Sequence, residues 1–344
     1  MQQAIAFGAL LAIVSGLMNG LFTLPMRFLG RWSWENVWSV FIVTSCLLLP
    51  SLIVFFISPA AFSVLAAAPG HAVLIAVGSG CAWGFGAVMF GQSVSAIGIA
   101  LANTFVLAIS SALGSLLPML LLAPEKLSQR PGHMILLGLG IEIVGIALCG
   151  RAGMLREAGQ KTASLRQRGD LVGVRRPLAT ALLLAGGAGL LSAVFNIGFV
   201  LATPISTYAQ GRGLSVFMGN NLIWVLMLGG GAVSNLGFCA FLLRRHHSMA
   251  KFAQPGSRRL YGLGLLMGIL WGGSIFVYGA AAPRMGILGP SIGWPLSLAT
   301  GLLVANITGL LLGEWEGAPH PALRWMFSGI GVLVAAIVVL SKAN

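Results

Sequence analysis

Few side chains in this sequence are equipped for chemistry, and most of them stand alone inside long apolar runs. Asn19 and Asn196 each interrupt a stretch of Ala, Leu, Val, Gly and Phe. A carboxamide both donates and accepts, so it can hold a hydroxyl of an uncharged polar ligand. Asn103 beside Thr104 has the same capacity, as do Asn220, Asn221 and Asn306. The other reading of such an Asn is a bridge between two helices, worth about 0.6 to 2 kcal/mol. Trp83, Trp271, Tyr278 and Trp294 add aromatic surface. An indole face packs on the C–H face of a pyranose while its N–H meets a hydroxyl, and equally a large ring fills gaps beside glycines. Glu142 is the one acid placed within the apolar runs. A carboxylate in hydrocarbon costs about 3 kcal/mol, which makes it a candidate proton carrier, a protonated or paired structural Glu being the alternative.

Other chemistries lack their residues. No Ser/His/Asp or Cys/His constellation, phosphate loop or dinucleotide motif occurs, so catalysis and ATP hydrolysis are not expected, and no cofactor is implied. Cys46, Cys81, Cys149 and Cys239 are widely separated and read as small packing residues rather than disulfide or zinc ligands. The adjacent His246 and His247 read as part of a solvated basic loop, with no metal site.

The elements that must position these groups are membrane helices. Of 344 residues, 57% are hydrophobic and 8% charged, where a soluble domain carries about a quarter charged. Mean hydropathy is +0.94. The apolar runs reach the ~20 residues a spanning helix needs. Ten spans are expected, at 4 to 26, 37 to 57, 71 to 92, 97 to 121, 132 to 150, 178 to 201, 214 to 242, 260 to 281, 287 to 312 and 325 to 341. Pro290 and Pro295 mark the ninth as the one expected to break.

The two halves repeat. Gly80-x-x-Trp83-Gly84, then Phe90-Gly91 and Gly98, returns 188 positions later as Gly268-x-x-Trp271-Gly272, then Tyr278-Gly279 and Gly286. Ser15-x-x-x-Asn19-x-x-Phe22 returns after 177 positions as Ser192-x-x-x-Asn196-x-x-Phe199. Five is an odd number of crossings, so a second five-helix unit enters the membrane from the opposite side. The expected fold is therefore all-α and membrane-integral, with ten helices in two inverted five-helix repeats, the pattern of secondary transporters. Residues 1–150 form the first unit, 151–177 a polar basic connector, and 178–344 the second.

The formal charge of +13 follows the topology. Arg27, Arg31, the cluster from Arg151 to Arg176, the cluster from Arg244 to Arg259, and Arg324 all follow odd-numbered spans. The positive-inside rule then places these loops in the cytoplasm and both termini outside, and makes nucleic acid an unneeded partner. Trp32, Trp34, Trp38, Trp315 and Trp325 read as anchors at the cytoplasmic interface.

Three segments carry a resemblance to a known family. Arg31-Trp-Ser-Trp-Glu-Asn-Val-Trp-Ser-Val40, Gly229-Gly-Gly-Ala-Val-Ser-Asn-Leu-Gly-Phe-Cys239 and Gly313-Glu-Trp-Glu-Gly-Ala318 resemble the L-rhamnose/proton symporters of the drug/metabolite transporter superfamily. Arg151-Ala-Gly153 and Trp83-Gly84 fit the same pattern. The similarity runs from about residue 15 to the C-terminus. It implies a bacterial inner-membrane protein that takes up L-rhamnose or a related deoxy sugar with protons. A carrier or exporter of the same superfamily for a less polar metabolite is the alternative. The substrate site is expected at midplane, between spans 1, 3 and 4 of one half and 6, 8 and 9 of the other.

Overall fold

The computed structural model describes residues 2–28, 32–167 and 177–343. Its helices are α1 (Gln2–Leu21), α2 (Trp34–Ile42), α3 (Leu49–Ile57), α4 (Ala61–Ala66), α5 (Gly70–Ile97), α6 (Ile99–Leu122), α7 (Arg130–Gln167), α8 (Leu178–Leu201), α9 (Thr203–Gly211), α10 (Val216–Arg245), α11 (Ser257–Arg284), α12 (Gly289–Leu311) and α13 (His320–Ser341). Among the described residues, ten stretches are long and apolar enough to cross a membrane, in the expected order. No strand occurs among the described residues.

Local sequence explains the departures from ideal helices. The second span is α2 and α3 joined by a π-helical turn, Val43–Leu48. Pro50 has no N–H to return to the carbonyl four residues earlier, and the ladder widens just ahead of it. The fifth helix continues past residue 150 to Gln167, so the connector's first part is helical, and residues 168–176 lie outside the described part. The ninth span is not broken. Pro290 occupies the first turn of α12, where no N–H is required, and α12 runs on through Pro295.

Pro295 nevertheless deprives the carbonyl of Ser291 of its helical partner, and the hydroxyl of Ser115 from α6 donates to that carbonyl instead. Pro118 inside α6 does the same to the carbonyl of Gly114. The Nδ2 of Asn196 from α8 donates to it at 2.8 Å. In hydrocarbon, with no water to satisfy a freed carbonyl, a side chain from a neighbouring helix must do so.

Packing runs mainly between the halves. Helix α1 lies on α11 and α12, while α8 lies on α5 and α6; α2 contacts α11, while α5 contacts α10; α7 packs along α13. Exchanging the halves maps these contacts onto one another. Glycines set the close approaches. A methyl group at Gly80 of α5 would collide with the Met227 carbonyl of α10, and one at Gly230 of α10 with the Val77 carbonyl of α5. Gly16 and Gly20 of α1 face the carbonyls of Ser297 and Gly301, each 2.5 Å from where a methyl would stand. Gly78, two residues from Gly80, has open space around it. Gly80→Ala is therefore expected to lower stability by about 1–3 kcal/mol, the range for overpacking, while Gly78→Ala leaves it unchanged. Apparent melting temperatures of the purified proteins in detergent check the pair.

Candidate functional site

The two repeat tryptophans meet. Trp83 on α5 and Trp271 on α11 stack with ring centroids 4.9 Å apart and planes 14° from parallel. Their remaining surface is also occupied, Trp83 by Phe195 at 5.0 Å and Trp271 by Phe41 at 5.7 Å. The residues equivalent in sequence thus close on each other where the halves join. The two stacked faces are closed to a ligand in this conformation, while Trp83 as a whole keeps partial exposure.

A second group forms around Asn196, which is fully buried. Its Nδ2 donates to the Gly114 carbonyl at 2.8 Å and to the Pro290 carbonyl at 3.2 Å, and its Oδ1 accepts from the Tyr278 hydroxyl at 2.7 Å. Trp294 lies edge-on to Tyr278 at 5.6 Å, and its Nε1 donates to the Ser110 carbonyl at 3.2 Å. Ser110 in turn donates to Ser192 at 2.9 Å. Four helices, α6, α8, α11 and α12, are tied together at this knot. Sequence reasoning did not single out the serines. The signal was present, because Ser192 belongs to the repeated Ser-x-x-x-Asn motif.

The first half contains a related but looser arrangement. Ser15 Oγ lies 3.1 Å from Ser297 Oγ, as Ser192 pairs with Ser110. Asn19 is half-buried and stands against Gly301, as Asn196 stands against Gly114. Ser110 and Ser297 are 187 positions apart, and so are Gly114 and Gly301. Two differences separate the halves. Phe90 holds the place of Tyr278 in the repeat and offers no hydroxyl, and Ala305 follows Gly301 where Pro118 follows Gly114.

Asn103 lies elsewhere, in a cavity of about 230 Å³ lined by the end of α1, the start of α6, α7 and the end of α12. Its polar lining comes from Thr23, from Asn103 and Thr104, from Asn306 and Thr308, and from Arg156 and Glu314. The two charges lie 3.5 Å apart, and the guanidinium stacks 4.8 Å over Trp315. Asn306 directs one N–H to the Leu302 carbonyl at 2.8 Å. Paired charges and neutral amides and hydroxyls suit an uncharged polar ligand better than an ion. A second cavity of about 190 Å³ lies on the opposite face, lined mostly by apolar groups from the ends of α6, α8 and α11 and the start of α12. Ile99 lines the first cavity and Ile287, its equivalent 188 positions later, the second. The Asn196 knot sits at the inner side of the second cavity, since Pro290 belongs to both.

Glu142 is buried in α7, where its Oε2 accepts from Ser111 of α6 at 2.7 Å. Its Oε1 is buried without a partner. The structure thus divides the sequence candidates among four places: Trp83 with Trp271; Asn196 with Tyr278 and Trp294; Asn103 in the cavity, with Asn19 one residue from its wall at Gly20; and Glu142 with Ser111.

Several interface residues have firmer roles than the sequence suggested. Glu35, at the start of the second span, is a second acid buried within an apolar stretch. It accepts from Ser248 at 2.6 Å and lies 3.2 Å from His246 Nδ1. Lys251 donates to Ser33 and Asn36 to the Ser248 carbonyl. Trp32 is buried rather than an exposed anchor, edge-on to Phe252 and Tyr261. Trp38 donates to Asn235 at 3.0 Å. Two of the sequence segments that carried the resemblance, 31–40 and 229–239, thereby join each other, and the loop before α2 is clipped to the α10–α11 loop. His246 takes part in this clip instead of merely adding to a solvated surface. Glu35→Ala leaves Ser248 without its acceptor, at a cost of about 1–3 kcal/mol. Faster trypsin cleavage after Lys251 is the expected result, with no change if the clip carries no stability.

Ten apolar helices that hold a buried polar network between cavities on opposite faces define a multi-pass membrane carrier. The chain belongs to the L-rhamnose-proton symport protein family, whose model matches residues 1–344. It is 28% identical over 353 residues to the L-rhamnose-proton symporter of Cronobacter sakazakii, with 100% of both chains covered. It is 26% identical over 355 residues to the proteins of the same name from Shigella boydii and Escherichia coli, again over 100% of both chains. The family is one of transporters, not enzymes.

Proposed function

We propose that this protein takes up L-rhamnose, or a closely related deoxy sugar, together with protons, by alternating access between two inverted five-helix repeats. The observation that carries the reading is family membership over the whole of residues 1–344. The architecture supports the mechanism in three ways. Contacts between the halves are reproduced when the halves are exchanged. The end of α1 with the start of α6 and the end of α12 in the first cavity answers to the end of α8 with the start of α12 and the end of α6 in the second, while α7 lines the first alone and α11 the second alone. The knot between them is tight on one side only, where Tyr278 and Pro118 occur without counterparts.

In this reading residues 1–150 and 178–344 are the two repeats. The basic ends of α7, α10 and the loop before α2 mark the cytoplasmic face, and both termini are outside. The clip at Glu35 and the pair of Arg156 with Glu314 lie on that one face. The larger, polar cavity then opens to the cytoplasm, and the conformation is inward-facing with the outer side closed by Asn196, Tyr278 and Pro290. Asn19, Asn103 and Asn306 offer amide groups to sugar hydroxyls from the inner side. The Trp83 and Trp271 faces become available to the ring only when the halves part. Glu142 carries the proton.

The test is uptake of labelled L-rhamnose by proteoliposomes with and without an imposed pH gradient. Accumulation that depends on the gradient is expected. Absence of both accumulation and counterflow, in protein with an intact melting transition, overturns the substrate and turns the search to less polar metabolites.

A further inference from the structure

The cytoplasm-side cavity stops one helical turn short of Glu142. Leu107 and Ile146 line its inner end with Leu302. Ser111 follows Leu107 by four residues on α6, and Glu142 precedes Ile146 by four on α7, so the hydrogen-bonded pair lies roughly 6 Å deeper along both helices. On the other side of Glu142 the packing is thicker. Ile135 and Leu139 of α7 are buried against Met119 of α6 and Leu296 of α12 in one continuous apolar cluster. A single layer of three side chains therefore separates the carboxyl from the cavity, and several turns of packed helix separate it from the opposite face.

The carboxyl is also isolated from other charges. Among the described residues, α6 and α12 contain no acidic or basic side chain. On α13 only His320 and Arg324 occur, in its first turns, and the turn Pro124–Ser128 brings Glu125 and Lys126 to the far end of α7. Along α7 the nearest are His133 and Arg151, each nine positions away, or roughly 13 Å along the axis. Ser111 is thus the one polar side chain bonded to Glu142, and Oε1 is left over.

We infer that Leu107, Ile146 and Leu302 form an apolar septum through which Glu142 exchanges its proton with the sugar cavity, making that cavity the shared exit for sugar and proton. The inference rests on the transport reading above and adds the route. In the exchange, a hydronium ion in the cavity gives one proton to the Glu142 carboxylate, an O–H bond forms at Oε1, and water remains; the reverse step returns the proton. Ser111 holds Oε2 and so turns Oε1 away from α6. A sugar in the cavity covers the septum and blocks exchange, so the proton leaves only when the sugar does. This couples the two without any contact between Glu142 and the sugar.

The experiment follows hydrogen–deuterium exchange of the Glu142 carboxyl, read as the shift of its infrared C=O band after sugar-free proteoliposomes are moved into deuterated buffer, with Glu142→Gln identifying the band. Leu107→Ser hydrates the septum and is expected to raise the exchange rate roughly tenfold, which corresponds to about 1.4 kcal/mol of barrier. An unchanged rate in Leu107→Ser overturns the proposal. A melting transition in detergent shows that each variant is folded, with Leu107→Ala as the milder replacement should Leu107→Ser lose it. Absence of sugar counterflow in the wild type would refute the substrate reading alone, because the exchange comparison is made without sugar.

Discussion

Glu142→Gln is expected to abolish accumulation of sugar against its gradient while leaving counterflow within about twofold of wild type, a difference in coupling rather than in binding. One proton moving down one pH unit supplies about 1.4 kcal/mol, enough for a tenfold concentration ratio in a one-to-one symport. With no group left to carry it, that ratio falls to one. The substitution keeps the shape of the side chain and an oxygen to accept from Ser111 at the position of the present 2.7 Å bond, so the fold is retained. It also puts an NH2 group in the place of the oxygen that has no partner in the resting structure. Preserved accumulation in Glu142→Gln would remove Glu142 from the coupling mechanism and leave it as a structural partner of Ser111.

The second large effect concerns the pair of equivalent asparagines. Asn196→Ala strips the Gly114 carbonyl of the donor that replaces the N–H missing at Pro118, and leaves the Tyr278 hydroxyl without its 2.7 Å acceptor. Each buried group so orphaned costs about 1–3 kcal/mol, so about 2–6 kcal/mol is expected for the variant, with transport lost in proportion to the folded fraction. Adding Pro118→Ala restores a backbone N–H for Gly114 within α6, and should recover part of the lost stability. No such recovery would show that Asn196 acts otherwise than by satisfying that carbonyl. Asn19→Ala, at the equivalent place, is expected to cost under about 1 kcal/mol, because the half-buried Asn19 replaces no N–H missing at a proline. Ala305, not a proline, follows Gly301, whose carbonyl keeps its helical partner. Melting curves of the four proteins in one detergent measure all of these values together.

These asymmetries locate the limit of what the repeat pattern discloses. The Asn pair was visible as a pair, and both members carried the same expectation of a sugar contact. What divides them are two residues on other helices, Pro118, 78 residues before Asn196 in the chain, and Tyr278, where the other half has Phe90. The tryptophan pair had a similar history. Mid-span aromatics flanked by glycines suggested either a sugar platform or a filled gap, and only the packing of α5 against α8 and α10, and of α11 against α2, places Trp83 and Trp271 face to face. The prolines of the ninth span pointed to a break that does not occur. Pro290 falls in the first turn, and the carbonyl freed by Pro295 is satisfied by Ser115.

By itself the sequence determined the membrane class, the ten spans, the recurrence of short Gly, Trp and Asn motifs and the family. Hydropathy over ~20 residues and the spacing of Gly, Trp and Asn are local properties that survive without knowledge of any partner. The tertiary structure decided which polar groups meet. Ser15 finds Ser297 across 282 positions, Asn196 finds Tyr278 across 82, and Glu35 finds Ser248 across 213. It also decided that Asn103 lines a cavity while Glu142 lies one turn beneath it. The reason is that lipid is as apolar as the helices' own side chains, so nothing in hydropathy selects one helix face over another. Close glycine contacts and the satisfaction of buried polar groups make that choice, and both depend on residues far apart in the chain.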